Sequence, residues 1–287
     1  MKLSHFTFLL IILCLFATKV SSQNKLPYQI YNSKGKPVRY NKMLAAATSS
    51  EVVLFGEHHD NSIIHWLELA FAKDLAKKRT VILGAEMIET DNQNQLDLYL
   101  QGKYSAKQLD STARLWPNFK TDYKPLVDFA KEKKMPFIAT NVPRRYASMV
   151  YKGGFEALDK LSDGERSLMP TLPIPYDKNL PGYKKMILEM SGHGGDDLPK
   201  AQALKDATMA WSIAKHTNKN NIFIHYNGTF HSDNFDGIYW YLKLQNPNQK
   251  VMTIATASQA DITKLEREHY NKADFIIVVD DDATKTY

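Results

Sequence analysis

The stretch Val52-Val53-Leu54-Phe55-Gly56-Glu57-His58-His59-Asp60 places a cluster of acids and imidazoles directly after a short apolar run. A run of β-branched, aliphatic and aromatic residues of this length is typical of a buried strand, and Gly56 permits a tight turn at its end. The same order recurs later, where Ile222-Phe223-Ile224-His225 precedes Gly228-Thr229-Phe230-His231. The sequence therefore predicts two strands that each lead into a Gly-x-x-His motif.

Polar residues also follow two other apolar runs. Val81-Ile82-Leu83-Gly84-Ala85 leads to Glu86, and Pro136-Phe137-Ile138-Ala139-Thr140 leads to Asn141. Open parallel α/β sheets bind their ligands at the carboxyl ends of the strands. We therefore expect the polar side chains to meet in one cleft, with those of His59, Glu86 and His231 within about 10 Å of a common point.

Strand-like and helix-like segments alternate along most of the chain. The expected strands are 52–57, 80–86, 136–141, 221–227, 251–256 and 274–279, after a small hairpin over 28–39. This alternation predicts an α/β fold, a mostly parallel sheet flanked by helices, in a single domain over residues 23–287. Residues 152–217 contain helical segments and no convincing strand, so they predict a helical insertion before the fourth core strand.

The first 22 residues have the pattern of a signal peptide. Lys2 is followed by an apolar segment from Phe6 to Phe16, and small residues precede Gln23. We expect a periplasmic or secreted protein after cleavage. Cys14 is the single cysteine, so the mature chain would lack disulfides and thiolate ligands. Lipid anchoring at Cys14 is the alternative, and Leu13 disfavours it because a small residue usually precedes a lipidated cysteine.

The charge of the chain limits the kinds of partner. The formal net charge is +6, and removing residues 1–22, which contain Lys2, Lys19 and no acids, would leave +4. The basic residues are scattered and form no dense stripe, which argues against nucleic acid as a partner. A small anionic ligand remains compatible with this charge.

The first Gly-x-x-His motif supports two interpretations. Glu57 and His59 could bind a divalent metal or act as a general base with its partner, and Glu86 would add a second carboxylate to such a site. Alternatively, the histidines are ordinary polar residues after a strand. Asp60 or Asn61 is expected to cap the following helix, and Asp60 is the preferred residue. His225 lies within its apolar run, where a hydrogen-bonded core histidine is expected.

Two other regions suggest ligand contacts. Arg144 or its neighbour Arg145 could hold a carboxylate or propionate, or could instead pair with Glu57 or Glu86. The insertion contains Tyr176, Tyr183 and His193 together with several methionines. These residues suit a flat apolar ligand, and a tyrosinate can ligate ferric haem. From the residues alone, ordinary packing is the favoured explanation, because the 15 tyrosines and 10 methionines of the chain must lie somewhere.

With these residues placed, the chain resembles the ChaN family of bacterial haem-binding proteins, within the wider Tiki/erythromycin-esterase-like superfamily. The resemblance runs from about Tyr31 to Ser258. It rests on several motifs in a fixed order: Leu54–Asp60, Gly84-Ala85-Glu86-Met87, Asn141-Val142-Pro143-Arg144, Tyr183 through His193, Gln202–Ala210 and Gly228-Thr229-Phe230-His231.

The family resemblance implies an exported protein that holds haem cofacially between two subunits, with a tyrosine on the iron. Tyr183 and Tyr176 are the candidate ligands, His193 is the candidate residue from the partner subunit, and Arg144 is a candidate for the propionates. A homodimer and an outer-membrane haem receptor are the expected protein partners.

The wider superfamily implies an alternative, a metal-dependent hydrolase. In that case Glu57 and Glu86 would be catalytic, and His59, Glu86 and His231 would hold a divalent ion such as zinc. We rank haem binding ahead of this alternative, because the insertion and the closer family resemblance favour it.

Overall fold

A computed structural model describes residues 25–189 and 197–287. The expected signal peptide and His193 lie outside the described residues. No helix in the described ranges is long and apolar enough to cross a membrane.

The described chain builds one seven-stranded sheet, in the order β1-β7-β6-β2-β5-β3-β4. β1 is antiparallel to β7, and the other neighbouring strands are parallel. The mostly parallel α/β fold is therefore confirmed. The strands are β1 Tyr28–Asn32, β2 Val52–Glu57, β3 Thr80–Glu89, β4 Phe137–Asn141, β5 Asn221–Gly228, β6 Val251–Gln259 and β7 Phe275–Asp280.

Ten α-helices flank the sheet in the described ranges. Apolar side chains of α1 to α5 pack on one face, and those of α6, α9 and α10 pack on the other. Both faces are therefore covered, which explains the continuous apolar strands. The helices are α1 Tyr40–Thr48, α2 Ser62–Ala76, α3 Gln93–Leu100, α4 Ala106–Thr112, α5 Lys124–Lys133, α6 Arg144–Gly153, α7 Asp163–Arg166, α8 Pro181–Glu189, α9 Asp197–His216 and α10 Ile238–Gln245.

The expected amino-terminal hairpin is present but short. Gly35, with a φ of +74°, makes the predicted turn, but the returning segment meets β1 through a single bridge between Tyr31 and Pro37. All five residues of β1 also pair with β7, a contact that the sequence did not predict. The longer ladder satisfies more backbone groups, and it buries Ile30 and Tyr31 at the edge of the sheet.

The insertion over 152–217 is helical in its described part, as expected. It contains α7, α8 and the long helix α9, and its described residues form no strand. Helix α9 packs between α6 and α10 on the sheet. One side of the insertion therefore belongs to the core of the domain.

The strand order places the two Gly-x-x-His motifs next to each other. β5 lies between β2 and β3, and Glu57 pairs in register with Gly228. On the other side of β5, Ala85 pairs with Tyr226. The ends of three central strands are thus level, although β3 ends at Glu89 and β5 begins only at Asn221.

Candidate functional site

Two glycines allow the strand ends to approach closely. A Cβ atom on Gly228 would lie 2.6 Å from Nε2 of His59. A Cβ atom on Gly56 would lie 2.9 Å from both the carbonyl oxygen of Ile254 and the Cα of Thr229. Each Gly-x-x-His motif therefore needs its glycine because another part of the site occupies the space of a side chain.

The expected convergence of His59, Glu86 and His231 is confirmed. Nε2 of His231 lies 3.1 Å from Oε1 of Glu86, and Nε2 of His59 lies 4.0 Å from Oε2. The Gly228 amide donates a hydrogen bond to the same Oε2 at 2.8 Å. Asn141, at the end of the outer strand β4, makes none of these contacts among the described residues.

His231 is held between two carboxylates. Its Nδ1 lies 2.5 Å from Oδ1 of Asp206 on α9, while its Nε2 faces Glu86. Burial lowers the pKa of His231, but the charges of Glu86 and Asp206 outweigh that effect and raise the pKa to about 9. Burial alone would raise the pKa of Glu86, yet His231 and His59 hold it well below its usual range. The pair therefore consists of an imidazolium and a carboxylate at neutral pH.

Glu57 makes the corresponding contacts on the other side of His59. Its Oε1 accepts hydrogen bonds from Nδ1 of His59 at 2.8 Å and from the Tyr123 hydroxyl at 2.9 Å. Its Oε2 lies 2.8 Å from Nε2 of His65, whose Nδ1 lies 3.5 Å from Asp122. Burial raises the pKa of Glu57, but the contacts with His59 and His65 lower it overall.

These contacts form a continuous row in which acids and imidazoles alternate. We call it the acid–imidazole row, and its members are Asp206, His231, Glu86, His59, Glu57, His65 and Asp122. His59 is the accessible member, with 28% of its side chain exposed beside the ring of Trp116. Burial lowers the pKa of His59, but Glu57 and Glu86 raise it overall. The row therefore holds a proton on His231 at neutral pH, and His59 lies at its opening.

The contacts of the row leave His231 without a nitrogen lone pair that could bind a metal ion. Both ring nitrogens of His231 face carboxylates, and an imidazolium has no lone pair to offer a metal. In the described ranges, the sets of acids and imidazoles whose ligand atoms all lie within 4.8 Å of one another are Glu57–His65–Glu68 and Glu266–Glu268–His269. The expected trio of His59, Glu86 and His231 is not among them.

The expected helix cap is wrong by one residue. The side-chain oxygen of Asn61, not that of Asp60, accepts hydrogen bonds from the amides of Ile63 and Ile64 at 3.1 Å each. Asp60 points outward and pairs with Lys285. An amide cap leaves the first turn of α2 without an added charge close to Glu57.

His225 is a hydrogen-bonded core residue, as expected. Its Nε2 lies 2.7 Å from the Thr140 hydroxyl, and its Nδ1 lies 3.1 Å from Oδ1 of Asn227. Burial lowers the pKa of His225 to about 4. It is therefore a neutral imidazole next to the charged row.

The two arginines after β4 have different surroundings. Arg145 pairs with Asp91 at 2.6 Å and lies over the ring of Tyr146. Arg144 is exposed, and its backbone amide donates to Glu89. Neither arginine contacts Glu57 or Glu86 among the described residues, so the alternative that one of them pairs with those acids is wrong.

Tyr183 lies against the row rather than on the surface. It is 2% exposed, and its hydroxyl donates to Oδ2 of Asp206 at 2.6 Å. Burial and the charge of Asp206 raise the pKa of Tyr183. Tyr176 stacks on Tyr183 with ring centroids 5.8 Å apart. In this conformation the Tyr183 oxygen is engaged with Asp206 and is not positioned as an accessible iron ligand.

Sequence reasoning missed several members of the site. Asp206 lies inside the long helix α9, and Glu68 lies inside α2. An acid inside a helix normally faces solvent, but both of these are buried. Asp122 and Tyr123 come from a π-helical turn before α5. Such turns often occur at functional sites, but the local sequence gives little sign of them. A buried acid on an otherwise apolar helix face would have been the usable signal.

The fold and the site together define a class of protein: a doubly covered α/β sheet with a buried acid–imidazole row at the carboxyl ends of its central strands. The chain belongs to the family described as haem-binding uptake, Tiki superfamily, ChaN, whose sequence pattern matches residues 43–242. That match contains both Gly-x-x-His motifs and the whole insertion.

Solved structures show the same fold. The chain is similar to ChaN of Campylobacter jejuni, described with cofacial heme binding, at a TM-score of 0.67 and 18% identity, over 88% of this chain and 96% of that one. It is also similar to a succinoglycan biosynthesis protein, at a TM-score of 0.55 and 9% identity, over 91% and 96% of the two chains. A search of curated protein sequences finds no match.

Proposed function

We propose that this protein binds haem and takes part in its uptake. The observation that carries the proposal is the match to the haem-binding uptake family, which extends over residues 43–242. The similarity in fold to ChaN of Campylobacter jejuni over nearly all of both chains is consistent with it. Family membership supports the role, and the surface chemistry of the insertion suggests where haem would lie.

The proposed haem face is formed by α8 and the start of the motif after β5. The Gly182 amide at the start of α8 donates to Asp236 at 2.8 Å, and a Cβ atom on Gly182 would lie 3.9 Å from the ring of Phe230. Phe230 is 38% exposed and Leu188, on the same helix, is 65% exposed. Exposed apolar side chains of this kind suit a flat apolar ligand. His193 follows α8 in the sequence.

A tyrosine of the insertion is the proposed iron ligand, with Tyr183 first and Tyr176 second. Because Tyr183 donates to Asp206 and its pKa is raised, ligation requires its hydroxyl to leave Asp206 and lose its proton. Ferric iron, as a Lewis acid, would favour the phenolate. Haem binding should therefore be coupled to a movement of α8 away from α9, which would open the proposed face.

The remaining parts of the proposal concern assembly and location. The haem would lie between two subunits, with His193 of the partner subunit near the propionates and the exposed Arg144 as a further contact for them. The protein would work in the periplasm or outside the cell after removal of residues 1–22, and an outer-membrane haem receptor would be its partner.

A titration with hemin tests the ligand. We expect the wild-type protein to bind hemin with the spectrum of a tyrosinate complex, and the Tyr183→Phe/Tyr176→Phe double variant to lose that spectrum. Tyr151→Phe is the matched control, because Tyr151 is exposed and lies outside the insertion. An unchanged affinity and spectrum in the double variant would show that the tyrosine assignment is wrong. Sedimentation with and without hemin tests the dimer.

The alternative function is a metal-dependent hydrolase that uses the two Gly-x-x-His motifs and Glu86. The observation that favours it is the convergence of His59, Glu86 and His231 at the ends of the strands. The same contacts occupy both nitrogens of His231, and for this reason we rank the hydrolase second.

A further inference from the structure

A cluster of metal-binding side chains lies between β2 and α2, where it shares Glu57 and His65 with the acid–imidazole row and adds Glu68. Glu57 ends β2, and His65 and Glu68 lie one turn apart on the face of α2 that covers it. One ligand atom from each of the three residues lies within 4.8 Å of the other two. All three side chains are more than nine-tenths buried.

The atoms that face one another in this cluster lack hydrogen-bond partners. Both carboxylate oxygens of Glu68, Oε2 of Glu57 and Nε2 of His65 have none among the described residues. Oε2 of Glu57 lies 2.8 Å from Nε2 of His65, but the two atoms are not aligned as donor and acceptor. Two buried carboxylates with free lone pairs and no full counter-charge are costly, so the cluster requires a cation or a proton.

A carboxylate lies behind the imidazole of this cluster. Nδ1 of His65, the nitrogen turned away from the cluster, makes no hydrogen bond among the described residues but lies 3.5 Å from the carboxylate of Asp122. Asp122 in turn accepts hydrogen bonds from Asn118 at 2.7 Å and from Thr286 at 2.8 Å. A carboxylate behind a histidine fixes the ring and makes its other nitrogen a better ligand.

We propose that Glu57, His65 and Glu68 bind a divalent first-row transition-metal ion, such as Mn²⁺ or Zn²⁺. Two carboxylates and one imidazole are suitable ligands for these ions, whereas Ca²⁺ requires six or more oxygen ligands. The other oxygen of Glu57 already accepts from His59 and Tyr123, so Oε2 is the atom that remains for the ion. The ion connects β2 to α2 and lies at the part of the acid–imidazole row that Glu57 and His65 form.

The competing explanation is a proton. Burial and the charge of Glu57 raise the pKa of Glu68 well above its usual range, so a protonated Glu68 could donate to Glu57 without any metal. The two explanations differ in a measurable way, because metal binding must displace this proton and should weaken as the pH falls.

Metal analysis of the purified protein distinguishes them. The wild-type protein is treated with EDTA, dialysed, and titrated with MnCl₂ or ZnCl₂ by calorimetry, with bound metal measured after gel filtration. Glu68→Gln removes one ligand charge at constant shape. If Glu68→Gln does not fold, His65→Gln takes its place, because it removes the imidazole ligand. Glu86→Gln is the matched comparison, since Glu86 is equally buried but belongs to the expected strand-end trio.

We expect one ion per wild-type chain, affinity at least about 10-fold weaker in Glu68→Gln, and unchanged affinity in Glu86→Gln. Failure of the wild-type protein to bind either ion would overturn the proposal and favour the proton. A weaker metal affinity in Glu86→Gln would also overturn the proposal, whether Glu68→Gln keeps its affinity or is weakened equally. In either case the ion could not be assigned to Glu68. None of these outcomes depends on hemin, so the haem proposal is tested separately.

Discussion

Nε2 of His231 lies 3.1 Å from Oε1 of Glu86, and this ion pair joins two strands that are distant in the sequence. Glu86 belongs to β3, and His231 follows β5. The Gly228 amide, Asp206 and the Gln202 side chain also contact the pair, which is almost wholly buried. The pair therefore fixes the geometry of the row, and its charges determine how the protein should respond to pH.

His231 should make the protein less stable in alkali. Its pKa is raised to about 9 in the folded protein, against about 6.5 in an unfolded chain. A raised pKa means that the folded protein binds the proton more tightly, so the contribution is complete below pH 6.5 and disappears as the pH rises through 9. The loss should be on the order of 3 kcal/mol.

Urea unfolding at pH 6.5 and pH 9 measures this effect. Glu86→Gln removes one carboxylate from His231, so the difference in unfolding free energy between the two pH values should shrink. An equal difference in the wild-type protein and the variant would contradict the assignment to His231.

His225 should respond in the opposite direction. Its pKa is lowered to about 4, so the folded protein resists protonation of this ring and loses stability as the pH falls from 6.5 towards 4. Histidine ring signals in NMR should show neutral His225 and charged His231 in the same sample at pH 5.5. A charged His225 in the folded protein at that pH would contradict its description as a core residue.

The cap of α2 should depend on Asn61 and not on Asp60. Asn61→Ala removes an acceptor for two backbone amides and should lower the free energy of unfolding by about 1 kcal/mol. Asp60→Ala is the matched control and should have a smaller effect, because its pair with Lys285 is partly exposed. Thermal or urea unfolding of the two variants gives the comparison; a larger effect for Asp60→Ala would contradict it.

The two motif glycines should tolerate alanine differently. In Gly56→Ala the new methyl group meets backbone atoms of Ile254 and Thr229 at 2.9 Å, so we expect a loss of about 1–3 kcal/mol. In Gly228→Ala it meets the imidazole of His59 at 2.6 Å, which can rotate away. Gly228→Ala should therefore fold well but lower the pKa of His59, measured by NMR. Equal destabilisation by both changes would argue against this explanation.

Substitution of the row carboxylates separates the two proposed functions. Under the haem proposal, Glu57→Gln and Glu86→Gln should bind hemin as the wild-type protein does, because both residues lie in the sheet interior and not on the haem face. Under the hydrolase alternative, hydrolysis of an ester and peptide panel should be metal-dependent and should fall by at least about 10- to 100-fold in these variants. Metal-dependent hydrolysis that Glu86→Gln abolishes would reverse our ranking.

The sequence by itself determined where most helices and strands lie and at which edge of the sheet the site is found. Strand and helix periods are local properties, so most element positions could be predicted, and the carboxyl ends of parallel strands share one edge of the sheet. These two facts were enough to predict that His59, Glu86 and His231 converge. One error was local, a one-residue shift of the helix cap to Asn61. The pairing of β1 with β7 was missed because it joins segments from opposite ends of the chain.

Only the tertiary structure decided which side chains complete the site. Three features depend on contacts between distant segments. β5 lies between β2 and β3, Asp206 approaches the site from α9, and His65 and Glu68 lie opposite Glu57. Such contacts arise from how covered faces pack, which no single segment encodes. Packing also decided the charge of each buried histidine. His225 is neutral because burial lowers its pKa, whereas His231 is charged because packing places the carboxylates of Glu86 and Asp206 against it.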